Sequence, residues 1–105
     1  MTIIAALNDA FRTTFSGGKV LMTEGVNALP PELKAHVLLR VSRFDEFDNE
    51  NDPFCEHDFG SFELCGRKFL WKIDYYDKDL RFGSENPAVP ELTTRVLTIM
   101  LWHEY

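Results

Sequence analysis

Two alternating runs, Phe59-Gly60-Ser61-Phe62-Glu63-Leu64 and Phe69-Leu70-Trp71-Lys72-Ile73-Asp74-Tyr75, flank the segment Cys65-Gly66-Arg67-Lys68. A period of two is the signature of strands, and a short Gly-containing break between two such runs marks a hairpin. Taking Gly66-Arg67 as the loop puts Gly at the first central position, as a type II′ turn requires. That register sets Leu64 opposite Phe69, Phe62 opposite Trp71, Gly60 opposite Ile73 and His57 opposite Tyr76. Phe62, Leu64, Phe69, Trp71, Ile73 and Tyr75 then share one face, which must be the core side. A slip by one residue would bury Lys72 and Asp74, so the faces are strongly specified.

The other elements arrange themselves around this 57–77 hairpin. Ile3, Leu7 and Phe11 recur at helical spacing over residues 3–15, with Thr2 as N-cap and Ser16-Gly17-Gly18 as the stop. Residues 19–23 are short and apolar and read as a strand with Val20 and Met22 on one face. Pro30-Pro31 opens a second helix to about Phe44, carrying Leu33, Val37, Val41 and Phe44 on one side. Pro90 opens a third, running to the chain end, with Leu92, Val96, Ile99, Met100 and His103 buried and Glu91, Arg95, Thr98 and Trp102 opposite. The order is α-β-α-β-β-α. The expectation is one α+β domain, residues 1–105, in which helices cover one face of a small antiparallel sheet.

Charge limits the partners. Lys and Arg number 11 against 17 Asp and Glu, a formal net charge of −6. An acidic chain lacks the basic face that direct nucleic-acid binding needs, and it is repelled by anionic lipid. No apolar run approaches the length of a membrane span. The N-terminus has no basic region ahead of an apolar one, and the two cysteines read as reduced thiols, so the expected location is cytoplasmic.

The loop from Asp45 to Asp58 holds seven of the seventeen acidic residues. Asp48, Glu50 and Asp52 alternate as calcium ligands do, but Pro53 stands where the turn Gly is needed and Phe59 where the bidentate Glu belongs. Cys55, His57, Cys65 and His103 lack the paired spacing of a zinc site. In an extended strand His57 and Cys65 would lie roughly 25 Å apart. No metal or other cofactor is expected. The best catalytic constellation is His57 as a general base, with Asp74 orienting it and Tyr76 and Glu56 in support. No nucleophile accompanies it. The candidate binding residues are Asp45, Glu46, Asp48, Glu50 and Asp52, an acidic lure for a basic groove, together with Trp102, an aromatic on a polar stripe.

Three strings carry a resemblance: Glu56-His57-Asp58-Phe59-Gly60-Ser61-Phe62, Trp71 to Asp77, and Thr94 to Leu101. Leu7-Asn8-Asp9, Phe11-Arg12, Asn51-Asp52-Pro53 and Glu104-Tyr105 extend it. The chain resembles a bacterial domain-of-unknown-function family of small acidic proteins, often carried on plasmids and prophages. Cys55, Cys65, Trp102 and His103 fall outside the matching strings. The resemblance implies a setting rather than a chemistry: small acidic proteins on mobile elements often resemble anti-restriction or anti-CRISPR inhibitors. The expected function is therefore a non-enzymatic inhibitor that binds a basic surface of a host defence nuclease complex. Two alternatives stand beside it: a small hydrolase or nucleotide-modifying enzyme using His57 and Asp74, and a structural or regulatory partner protein.

Overall fold

A computed structural model describes residues 1–105. Helix α1 (Ile3–Thr14) leads to strand β1 (Lys19–Met22), then to the short helix α2 (Glu24–Asn27) and to α3 (Pro31–Ser42). Strands β2 (Phe59–Leu64), β3 (Arg67–Tyr76) and β4 (Thr94–Leu101) follow. Single 3₁₀ turns, Pro90–Leu92 and Trp102–Glu104, bracket β4. The four strands form one sheet in the order β1-β4-β3-β2, antiparallel except for the parallel pair β1 and β4. The fold is α+β, with a mixed and mostly antiparallel sheet.

The helices lie on one face. Phe11, Val26, Leu29, Val37, Val41 and Phe44 pack on Phe62, Phe69, Trp71, Ile73, Leu97 and Ile99 as a single core. α1 begins as expected: the Thr2 hydroxyl accepts the Ala5 N–H. It ends on Phe15 rather than on a glycine, with Phe15 in the left-handed region at φ 55°. Its buried side is Ala5, Asn8, Phe11 and Arg12, whereas Ile3 is 68% exposed. The expected stripe through Ile3 and Leu7 is thus rotated, because two polar side chains find partners under the helix.

The last long element is a strand, which corrects the expected third helix. Thr94-Arg95-Val96-Leu97-Thr98-Ile99-Met100-Leu101 fits a helical wheel, but it is also rich in β-branched residues. β4 is an inner strand. Arg95, Leu97 and Ile99 are buried on the helix side, and Val96 and Met100 on the other. A strand buried on both faces reads as a nearly continuous apolar run, which hides its period. β1 joins β4 rather than either strand of the hairpin, so its sheet position depends on an element that periodicity misassigns.

The hairpin forms with a different register from the one expected. Leu64 pairs with Arg67, Phe62 with Phe69 and Gly60 with Trp71. The loop is Cys65-Gly66, with φ of 52° and 74°, the two positive angles of a type I′ turn. The displacement is by two residues, so every side chain keeps its face while Phe62 and Trp71 are no longer partners. Trp71 lies instead across from Ile99 on β4 and over Gly60 on β2.

Candidate functional site

The catalytic constellation read from the sequence does not assemble. His57 precedes β2 and adopts a left-handed conformation, φ 56°. Its Nδ1 lies 3.0 Å from the Asp9 carboxylate, and its Nε2 lies 3.6 Å from Asp52. Asp74 is instead bound to the Lys72 ammonium at 2.7 Å, a contact that raises the Lys72 pKa. Tyr76 ends β3 opposite Thr94 and bridges to Gly83. Glu56 accepts a hydrogen bond from the Tyr75 hydroxyl at 3.1 Å. The expected cross-strand pair of His57 and Tyr76 fails because β2 starts at Phe59 and the register is displaced. None of the five principal surface cavities is lined by His57.

His57 instead pins the acidic loop. Its ring stacks on Phe47 with centroids 3.9 Å apart, and Phe47 sits edge-on to Phe44 and Trp71. Asp52 is 6% exposed, and its Oδ1 accepts the N–H groups of both Glu56 and His57. It is a buried brace and not the surface lure expected from its place in the acidic run. The Asp48 carboxylate accepts the N–H groups of Glu50 and Asn51, while the Asn51 amide donates to the Glu46 carbonyl. Consecutive turns, Asp52 N–H to Asp48 and Cys55 N–H to Asp52, complete the loop. The carboxylates of Asp45, Glu46 and Glu50 stay in solvent, and Phe54 stands 81% exposed in the same run.

A buried polar network holds this loop to α1 and β4. The Asn8 amide donates to the Glu56 carbonyl and to the Tyr75 hydroxyl, and its oxygen accepts from Arg95 Nε at 2.7 Å. The Arg95 guanidinium lies over the Tyr75 ring and donates to the Pro87 carbonyl. Arg12 donates to the carbonyls of Val41 and Ser42 at the end of α3 and to Asp9. It lies against the rings of Phe47 and Trp71. Burial, reinforced by the neighbouring Glu56 charge, pushes the Asp58 carboxyl up to about 6. Periodicity missed Asn8, Arg12 and Arg95, because it assigns polar residues to the solvent side. They do fall within the short strings quoted above.

Trp102 lies away from this network, at the tip of the hairpin. It is 47% exposed, and the Lys68 ammonium sits 3.9 Å from its ring centroid. No group of three His, Cys, Asp or Glu side chains is placed to hold a metal ion. No helix is long and apolar enough to cross a membrane.

These features describe an α+β domain in which a long acidic loop is fastened to the helix-covered face of a four-stranded sheet. The chain belongs to the DUF3768 family, described as proteins of unknown function, whose model matches residues 22–104. The match leaves out α1 and with it Asn8, Asp9 and Arg12. No curated protein and no solved structure matches the chain.

Proposed function

We propose that this chain is a non-enzymatic binding protein whose acidic loop docks on a basic surface of a host defence nuclease complex. It would act as an inhibitor of the anti-CRISPR or anti-restriction type, encoded on a mobile element. The supporting observation is the construction of the loop. Asp52, His57 and Phe47 fix it to the body, while Asp45, Glu46 and Glu50 point their charge at solvent. A loop held in one conformation loses little entropy on docking. Phe54 supplies an apolar anchor within the acidic rim, the anatomy of an interface core and its surround. The formal charge of −6 adds long-range attraction toward surfaces that ordinarily hold nucleic acid.

The test is affinity purification from a bacterial host at low and high salt, with partners identified by mass spectrometry. The comparison is a variant carrying Asp45→Asn, Glu46→Gln and Glu50→Gln. Asp48 is left intact because its carboxylate caps the loop. The expected result is a nuclease, helicase or nucleic-acid-binding complex recovered at low salt, weakened by salt and lost in the variant. Recovery of no such partner, or equal recovery by the variant, rejects the reading.

A further inference from the structure

The chain carries a second surface of opposite character. α2, the hairpin tip and the C-terminal turn enclose an open groove of about 610 Å³. Ala28, Leu29, Pro30 and Leu101 give it an apolar wall, and Trp102 stands at its side. Arg67, Lys68 and His103 also line it, and no carboxylate does. In a chain with six more acidic than basic residues, two neighbouring cations, Arg67 and Lys68, thus line one groove.

The cations are free to receive a ligand. Neither Arg67 nor Lys68 takes part in any of the ion pairs of the fold. Glu63 is the strand partner of Lys68, yet the ammonium lies over the Trp102 ring instead. A second acid nearby, Glu104, is already held by other donors. Its carboxylate accepts from the Thr23 hydroxyl and from the N–H groups of Gly25 and Leu101, which fastens α2 to the end of β4. The groove therefore has a fixed frame, an apolar floor and an unpaired positive rim.

We infer that this groove binds an acidic peptide segment of a partner protein, with an aliphatic or aromatic side chain beside at least one carboxylate. The wall formed by Ala28, Leu29, Pro30 and Leu101 takes the apolar side chain, and Arg67 and Lys68 take the carboxylate, Arg in bidentate fashion. A nucleobase is the weaker fit, because Lys68 already covers one approach to the Trp102 ring and Tyr105 lies 6.4 Å away, tilted against it. The surface is independent of the acidic loop in its residues and opposite to it in charge. The protein would thus hold a basic and an acidic partner surface at separate places.

Selection from a displayed random heptapeptide library on the immobilised full chain tests this, with Arg67→Glu/Lys68→Glu as the counter-target. Both positions are exposed at the hairpin tip, and circular dichroism checks that the variant folds. The expected result is enrichment of peptides with Asp or Glu flanking Leu, Phe or Trp, bound at least about tenfold more weakly by Arg67→Ala/Lys68→Ala. Binding should also shift the indole resonance of Trp102 but not that of Trp71, which is fully buried. Selection of basic peptides, or of nothing that discriminates the charge-reversed variant, overturns the inference. So does a response of the Trp102 and His103 resonances to AMP or inorganic phosphate without any acidic-peptide binding. Concentration-dependent self-association abolished by Lys68→Glu would overturn it in favour of a second copy as the occupant.

Discussion

Gly60 lies directly across the β2–β3 ladder from Trp71, and a methyl group at position 60 would stand 2.6 Å from the indole nitrogen. The same methyl would press on the Phe44 ring at 2.8 Å. The largest side chain of the core thus lies across the one residue of its neighbouring strand that has no side chain. The indole N–H finds no hydrogen-bond acceptor there, and the edge-on rings of Phe44 and Phe47 surround it.

Gly60→Ala should therefore cost about 1–3 kcal/mol through overpacking. Trp71→Ala should cost about 3–5 kcal/mol through the cavity it leaves. Lys72→Ala, one residue along on the other face, should cost about 0.5 kcal/mol. Urea melts of the three variants check the ranking. A harmless Gly60→Ala would contradict the observed register.

The hairpin turn carries a non-glycine residue with positive φ at Cys65, 52°. Asn tolerates this conformation better than Cys, and Asn-Gly is the preferred pair for a type I′ turn. Cys65→Asn should raise stability by about 0.5–1 kcal/mol. A lower thermal midpoint for the variant would contradict the turn assignment.

Arg12 joins the end of α3 to α1 through buried hydrogen bonds, so Arg12→Ala should cost about 3 kcal/mol. It should also loosen the acidic loop, since Phe47 rests against the guanidinium. Faster amide exchange at Glu56 and His57 in the still-folded variant is the accompanying readout.

Asp58 gives a pH dependence of unusual sign for a carboxylate. Burial raises its pKa from the ordinary 3.8 to about 6, so between those values the folded state holds a proton that the unfolded state has released. Stability contributed by this group therefore falls as pH rises through that window. Asp58→Asn should stabilise the protein at pH 7 and give no gain near pH 4. Chemical melts at the two pH values measure it.

Glu104 should behave in the opposite sense. Its hydrogen bond with the Thr23 hydroxyl, helped by the N–H groups of Leu101 and Gly25, holds its pKa below the ordinary 4.5. Its contribution is present above pH 4.5 and is lost as pH falls through the depressed value. Glu104→Gln should lower the thermal midpoint at pH 7 and narrow the difference from wild type in acid.

The sequence by itself determined the faces of the hairpin, the Thr2 cap, the Pro31 helix start and the acidic loop. Each of these depends on a local rule: strand alternation, a cap at a helix start, the φ of proline, the turn preference of Asn and Asp. Tertiary structure decided the rest. A two-residue change of register leaves every face unchanged, so alternation cannot detect it; the fit of Trp71 over Gly60 can. The apolar run of β4 satisfies a helical wheel as well as a strand, and only burial on both sides of the sheet distinguishes them. Asn8, Arg12 and Arg95 are polar and read as solvent-facing, yet they are buried because each finds partners from elements far away in the chain. A long-range pairing likewise drew His57 to Asp9, beside its local contact with Asp52, and left Asp74 with Lys72. Patterning reports which face of an element is apolar. It does not report which polar residues the fold buries, or which side chains meet across elements.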